Sequence, residues 1–402
     1  MTKPGYKMTE VGMIPEDWEV KELGEVGSMK SGNGITGDYI FTEGIYPCYG
    51  GNGLRGFTHK FTHDGIFPLI GRQGAHCGNV KLVTGKFFAS EHAVVFNPAS
   101  GTSPHFAYFF LKRLKLNRLS ESSAQPGLSV NKLKKLPIPL PPTLKEQRLI
   151  AGALSEVDAL IAQHDKLIAK KQAIKQGAMQ QLLTGQTRLP GFGQGKGYKM
   201  TEVGRIPEDW EVSKFDEIGE AIIGLTYSPT EVSNNGYLVH RSSNIQENQL
   251  SYLDNVFVEK EIPQKLILQK HDILICVRNG SKNLIGKAAL IVGESVGETF
   301  GAFMSVFRTI LDPKFIFQVI ISEIIQRQIS TSLGATINQI TNKTLYSFQI
   351  PLPPTLKEQR LIAQTLSDLD SSIQELQRKK SKLQSLKQGM MQELLTGKTR
   401  LI

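Results

Sequence analysis

GYKMTEVGMIPEDWEV (residues 5–20) returns as GYKMTEVGRIPEDWEV (197–212), with Met13 against Arg205 the single difference. The chain's two tryptophans, Trp18 and Trp210, hold the same place in the two copies. A second block, IPLPPTLKEQRLIA, stands at 138–151 and again at 350–363, and a third, LLTGQTRL at 182–189, returns as LLTGKTRL at 394–401. The first pair is displaced by 192 residues and the others by 212, so the stretch between the first two blocks is 20 residues longer in the second copy. Within those stretches, 28–136 and 220–348, little similarity survives. Drift does not spare whole blocks while erasing what lies between them. The pattern reads as one scaffold, duplicated to present two different surfaces.

The second and third blocks bound long helices. Thr143-Leu-Lys-Glu146 and Thr355-Leu-Lys-Glu358 follow Pro-Pro pairs and fit capping boxes, in which threonine accepts from an orphan N–H and glutamate reaches back to the cap. Gly185 and Gly397 fit left-handed residues that end the helices. Between these signals the apolar positions step by four and three. The first seam runs through Ile150, Leu154, Val157, Ile161, His164 and Ile168. The second runs through Ile362, Leu366, Leu369, Ile373 and Leu376, then Leu383, Met390 and Leu394. This is coiled-coil spacing. Lys380 and Lys387 fall on the seam and are expected to weaken it. Each helix would be roughly 60 Å long, and so narrow a stripe needs a partner. The other copy is the natural one, and duplication favours a pseudo-two-fold that sets the helices antiparallel.

The first insert reads as short strands and turns followed by a helix near HFAYFFLKRLKLNRL, and the second has the same order, with its helix near FIFQVIISEIIQRQI. The expected fold class is therefore α+β: two mixed α/β recognition domains separated by two long antiparallel coiled-coil helices. The expected boundaries are 1–142 for the first block and domain, 143–184 for the first helix, 185–196 for a glycine-rich linker, 197–354 for the second block and domain, and 355–402 for the second helix and tail.

Both inserts contain an apolar strand, an Arg-x-Gly loop and a second apolar strand, LIGRQGAHCGNVKLV and ICVRNGSKNLIGKAALI. Such side chains suit base edges and phosphates: arginine suits guanine bidentately, and asparagine or glutamine suits adenine. The candidate DNA contacts are Arg72, Gln73, His76, Asn79 and Lys81 in the first loop and Arg278, Asn279, Lys282 and Asn283 in the second. Gln125, Asn338 and Gln339, in polar segments ahead of the shared helices, join them. The net charge of +10 fits a polyanionic partner. It is uneven, with 14 Lys+Arg against 8 Asp+Glu over 18–136 and 12 against 14 over 210–348. The second insert must rely on local patches for phosphate contacts.

Catalytic and metal motifs are missing. Cys48, Cys77 and Cys276 stand apart, and His76-Cys77 lacks two further ligands. Gly51-x-Gly53-x-x-Gly56 matches a dinucleotide fingerprint in letters, but no helix is expected after it, so it reads as a turn. Asn97-Pro98-Ala99 lacks the second proline and aromatic of the adenine-methyltransferase motif. No apolar run reaches membrane-spanning length and the first residues lack a signal-peptide core, so a cytoplasmic location is the expectation.

The duplicated Ile-Pro-Glu-Asp-Trp block, the Pro-Leu-Pro-Pro-x-x-x-Glu-Gln helix starts (139–147 and 351–359) and the Leu-Leu-Thr-Gly helix ends resemble the specificity subunit of type I restriction–modification systems. The resemblance covers essentially the whole chain. It implies a non-catalytic subunit in which each insert reads one half of a bipartite double-stranded DNA target. The helices would space the two domains and dock two methyltransferase subunits, which methylate adenine. Restriction–translocase subunits would complete the complex. S-adenosylmethionine, ATP and Mg would sit on those partners, with no cofactor or metal on this chain. Two other classes stay open on the residues alone, a coiled-coil scaffold whose inserts bind protein and an unrecognised enzyme.

Overall fold

The computed structural model of the chain describes residues 4–74, 76–120, 127–193, 197–334 and 338–401. The backbone divides into two compact units, Met1–Lys166 with Gln377–Ile402, and Leu167–Leu376. Neither unit is one sequence repeat. The long helices Leu144–Leu183 and Leu356–Leu394 each give one half to each unit.

In both units the first repeated block forms a hairpin, Tyr6–Thr9 with Gly12–Pro15 and Tyr198–Thr201 with Gly204–Pro207. The strand after each tryptophan then pairs antiparallel with the strand that opens the second block. Glu19–Glu22 pairs with Pro137–Leu140, and Glu211–Lys214 with Gln349–Leu352. Each insert thus leaves and re-enters the scaffold on neighbouring strands.

The first insert carries a six-stranded sheet in the order Gly27–Ser31, Ala93–Pro98, His63–Gly71, Val80–Ala89, Tyr46–Gly50, Gly53–Thr58. The second carries a four-stranded sheet, Gly219–Ile223, Met304–Thr309, Ile273–Cys276, Ala288–Leu290, which repeats the order of the first four strands of its counterpart. A short second sheet around Tyr237–His240 completes it. The helix that follows each main sheet, Pro104–Arg113 or Pro313–Ile320, starts with proline at its first position behind a capping side chain, Ser103 or Asp312. The glycine-rich stretch at 51–56 is the turn and start of a hairpin, with no helix after it.

The long helices start as their threonines require. The Thr143 and Thr355 hydroxyls accept from the N–H of Glu146 and Glu358 at 3.2 and 3.3 Å. The glutamates are used otherwise than the capping boxes suggest, because each turns to an arginine. Arg188 donates to Glu358 at 2.6 and 2.9 Å and to Asp209 at 2.9 and 3.4 Å. In the other unit Arg400 donates to Glu146 at 2.5 and 2.9 Å and to Asp17 at 2.8 and 3.0 Å. The glutamine beside each glutamate donates to a proline carbonyl of the same block, Gln147 to Pro141 and Gln359 to Pro353, both at 3.2 Å. The helix ends close the arrangement. Gly185 and Gly397 have φ of +67° and +68°, and a Cβ on either would stand 2.5 Å from a ring carbon of Pro207 or Pro15. Glycine is required there for both backbone conformation and close approach.

Within each unit the helix halves run antiparallel. In the first, Lys387 pairs with Asp158 at 2.5 Å and Lys380 with Asp165 at 2.6 Å, one helix advancing seven residues as the other recedes seven. In the second, Lys175 pairs with Asp370 at 2.6 Å in the same register. Lys380 and Lys387, expected to weaken the seam, instead carry cross-helix ion pairs. The seam residues Ile150, Leu154, Val157, Ile168, Ile362, Leu366 and Ile373 are buried. Ile161, His164, Leu369 and Leu376 are half-buried, so the apolar contact thins toward the middle of each helix. Toward the helix starts the seam joins the insert cores. Ile150 and Leu154 share one with Trp18, Phe106, Phe110 and Leu394, and Ile362 and Leu366 share another with Trp210, Phe315 and Leu182.

The Glu358 side chain is only 1% exposed, so removing its arginine strands a buried charge. Arg188→Ala is expected to lower the unfolding free energy by about 3 kcal/mol. Arg327→Ala, which breaks an exposed pair with Glu323, should stay within about 0.5 kcal/mol. Urea titrations of the two variants, followed by tryptophan fluorescence, make the comparison. Equal losses would show that the buried pair does not hold the unit.

Candidate nucleic-acid interface

The loop after His63–Gly71 and the segment ahead of the first long helix, far apart in sequence, meet in the structure. Gln73 forms an isolated antiparallel bridge with Gly127, and the Leu128 N–H donates to the Arg72 carbonyl at 2.9 Å. The second unit repeats this. Arg278 bridges Gln339, and the Ile340 N–H donates to the Val277 carbonyl at 2.8 Å. The two groups of candidates in each insert therefore form one surface. Gln125 lies outside the described residues.

Backbone pairing also sets the register between the two surfaces. Arg72 matches Val277, and Gln73 matches Arg278. The Arg-x-Gly letters align Arg72 with Arg278, one residue out of step, because the pairing and not the letters decides which side chain faces out. Burial agrees: Val277 is buried and Arg72 half-buried, whereas Gln73 and Arg278 are exposed.

A third segment reaches each surface. The Arg72 N–H donates to the His92 carbonyl at 2.9 Å, and the N–H groups of Val277 and Arg278 to the Phe303 carbonyl at 3.0 and 3.1 Å. His92 and Phe303 each immediately precede a matching sheet strand, Ala93–Pro98 or Met304–Thr309. The His92 ring lies between Gln73 and Glu91, with Nδ1 3.1 Å from Gln73 Oε1 and Nε2 3.0 Å from Glu91 Oε1. The Arg278 guanidinium lies over the Phe303 ring, 5.1 Å from its centre, and that ring is half exposed. Neither residue was legible as a candidate. The one shared signal is a Val-Phe pair three residues on, Val95-Phe96 and Val306-Phe307.

The remaining candidates differ in availability. His76, Asn79 and Lys81 are exposed, as are Lys282, Asn283 and Gln339. Asn279 is committed to its own loop, since its amide nitrogen donates to Ser242 Oγ at 2.9 Å and its oxygen accepts from the Ser281 N–H at 2.9 Å. The Asn338 amide donates to the Gly280 carbonyl at 3.1 Å. Cys77 is buried, with its thiol on the Arg72 carbonyl, and the described residues hold no cluster fit for a metal. A cleft of about 480 Å³ opens beside Asn79 and Lys81, lined also by Tyr49, Lys112, Lys115 and Asn117. Lys112 and Lys115 come from the helical stretch after the sheet, which the loop patterns did not single out. Among the described residues no helix is long and apolar enough to cross a membrane.

Two units that offer different polar side chains from the same backbone frame, each built on half of an antiparallel helix pair, define a class: a duplicated two-domain protein mounted on a coiled coil. The comparisons with known proteins say which family. The model for the type I restriction modification DNA specificity domain matches residues 15–173 and 207–385. The chain belongs to the type I restriction–modification specificity subunits. It is 29% identical over 413 residues to the type I restriction enzyme MjaVIII specificity subunit of Methanocaldococcus jannaschii, covering 96% of this chain and 94% of that one. It is 43% identical over 144 residues to the EcoprrI specificity subunit of Escherichia coli, a match spanning 35% of this chain and 36% of the relative. Among solved structures, the type I S subunit from M. genitalium superposes with a TM-score of 0.64 at 18% identity, covering 98% of this chain and 99% of that one. This last match speaks for the fold alone.

The second insert also holds a buried histidine. His240 is fully buried, and neither ring nitrogen has a hydrogen-bond partner among the described residues. Burial pulls its pKa from 6.5 down to about 4. The fold holds the neutral ring, so its stability is complete above pH 6.5. It is lost as pH falls toward 4, because the unfolded chain takes up the proton first. The loss should approach about 3 kcal/mol at the acid end. Thermal unfolding from pH 7 to 4 should show this fall in the native chain and a flatter profile in His240→Leu. Parallel profiles would discount the residue.

Proposed function

We propose that each unit reads one half of a bipartite double-stranded DNA target, and that the helix pair spaces the two readings and docks two methyltransferase subunits. The observation that carries this reading is the clamped insert. Its ends lie on paired strands of the repeated scaffold, and on each insert the Arg-x-Gly loop, the segment before the long helix and the residue before a sheet strand converge on exposed polar side chains. A framework kept constant around such a surface suits exchange of what is read without change to what is docked.

Exposed apolar residues support the docking role. Met8 and Met200 are 68% and 77% exposed, and Leu149 and Leu361 are 42% and 41% exposed, at matching places in the repeated blocks. Such residues add little to the cores, and their retention in both copies fits two identical partner chains. S-adenosylmethionine, ATP and Mg belong in this reading to the partner subunits, including the restriction–translocase subunits, and the purified chain transfers no methyl group by itself.

Exchanging the insert 28–136 for that of another specificity subunit should change one half of the target and leave the other intact. Genome-wide mapping of methylated adenines, with the chain co-expressed with its methyltransferase, reads this out. A change in both halves, or in neither, would overturn the modular reading. Spacing has its own test. Seven residues inserted after Lys166 and after Arg378 keep the seam in phase and lengthen each helix by about 10 Å. The preferred gap between half-sites should then grow by about three base pairs. An unchanged gap in an active complex would assign the spacing to the methyltransferase subunits.

A further inference from the structure

The shared frame gives the two surfaces a common reading position, and the residues on it differ. We infer that Gln73 reads an adenine in one half-site and that Arg278 reads a guanine at the corresponding place in the other. His92 and Phe303 act as positioning residues behind them. The inference rests on the DNA-reading role proposed above and makes it specific.

Register and exposure select this pair. Gln73 and Arg278 are the bridge residues that pair with Gly127 and Gln339, and both point outward, whereas Val277, the partner of Arg72 in this frame, is buried. Their chemistry differs in the way the bases do. A glutamine amide presents one acceptor and one donor side by side, matching N6–H and N7 of adenine. A guanidinium presents two parallel donors, matching O6 and N7 of guanine.

Each reader is backed by a side chain suited to it. The His92 ring stands between Glu91 and the Gln73 oxygen, at 3.0 and 3.1 Å. With its proton on Nδ1 the ring donates to that oxygen. This fixes which end of the amide is oxygen and leaves that oxygen a second lone pair for the adenine amino group. Arg278 needs no such polar partner. It lies over Phe303, whose ring is 54% exposed and therefore contributes little to the core. A flat aromatic face holds the guanidinium plane without occupying any of its donors, so the fork is pre-organised and unspent. One place in the frame thus carries an imidazole where the reader is an amide, and a phenyl ring where it is a guanidinium.

The test uses the chain in complex with its methyltransferase, in a host that lacks adenine methylation. Methylated adenines are mapped for the native chain and for Gln73→Ala, Arg278→Ala, Phe303→Ala and Phe303→Tyr. Gln73→Ala should relax discrimination at a single adenine of one half-site by roughly ten- to a hundredfold, with the other half-site untouched. Arg278→Ala should do the same at a single guanine of the other half-site. Phe303→Ala should reproduce the Arg278→Ala relaxation in part, and Phe303→Tyr, which keeps the aromatic face, should keep the native discrimination, whereas a merely structural role would lower yield without altering base preference. Where a variant abolishes methylation, binding of the purified complex to duplexes carrying each base at that position gives the same readout. Relaxation at a base of the wrong identity, or uniform weakening across sequences as for a phosphate contact, would overturn the inference. Absence of any sequence-selective methylation by the native complex would instead overturn the DNA-reading role itself.

Discussion

A half-buried arginine between two carboxylates holds each unit together. Arg188 joins Glu358 at the start of one helix to Asp209 of the first repeated block, and Arg400 joins Glu146 to Asp17 in the same way. The carboxylates of Glu358 and Glu146 are 1% and 6% exposed, and such charges are tolerated inside a protein only when paired and hydrogen-bonded. The arginine also lies near the buried indole, Arg188 at 5.5 Å from the Trp210 ring and Arg400 at 6.0 Å from that of Trp18. One contact thus uses all three repeated blocks, with the aspartate from the first, the glutamate from the second and the arginine from the third. This gives a physical reason for the three to be retained together.

The same contact frees the inserts. Because the scaffold is pinned by the arginine, the tryptophan and the helix ends, the strands between need only keep their two attachment points and their share of the core. The helix pair follows a similar logic. It spends its apolar contact near the ends, where it also packs the insert cores, and toward the middle relies on Lys175, Lys380 and Lys387 paired with aspartates across the helices. Ion pairs at defined steps fix register and direction more than they add stability.

The inserts diverge in charge as well as in side chains, at +6 over 18–136 and −2 over 210–348. The first has a basic cleft beside its loop, with Lys81, Lys112 and Lys115 around it. The second presents Arg278 on an aromatic ring, with Lys282 nearby. Phosphate attraction and base discrimination are separate terms in DNA recognition, and in the DNA-reading role proposed above the two inserts would weight them differently.

The repeated blocks, the helix limits and the seam were legible in the sequence because each depends on local rules: a threonine that caps, a glycine that must take positive φ, apolar residues spaced by four and three. The strand-then-helix order of the inserts was legible for the same reason, and the block order pointed to the family. Other features came from contacts between residues far apart in the chain. Glu146 and Glu358 read as capping residues, yet an arginine some 254 or 170 positions away outcompetes the local bond. Lys380 and Lys387 read as breaks in the seam until aspartates on the facing helix paired with them. The Arg-x-Gly letters aligned Arg72 with Arg278, whereas strand pairing aligned Gln73 with Arg278 and brought His92 and Phe303 behind them. Local propensity set the elements. Which side chain faces outward, and what stands behind it, was decided by backbone hydrogen bonds between distant segments, and a one-residue shift in that register exchanges inside for outside.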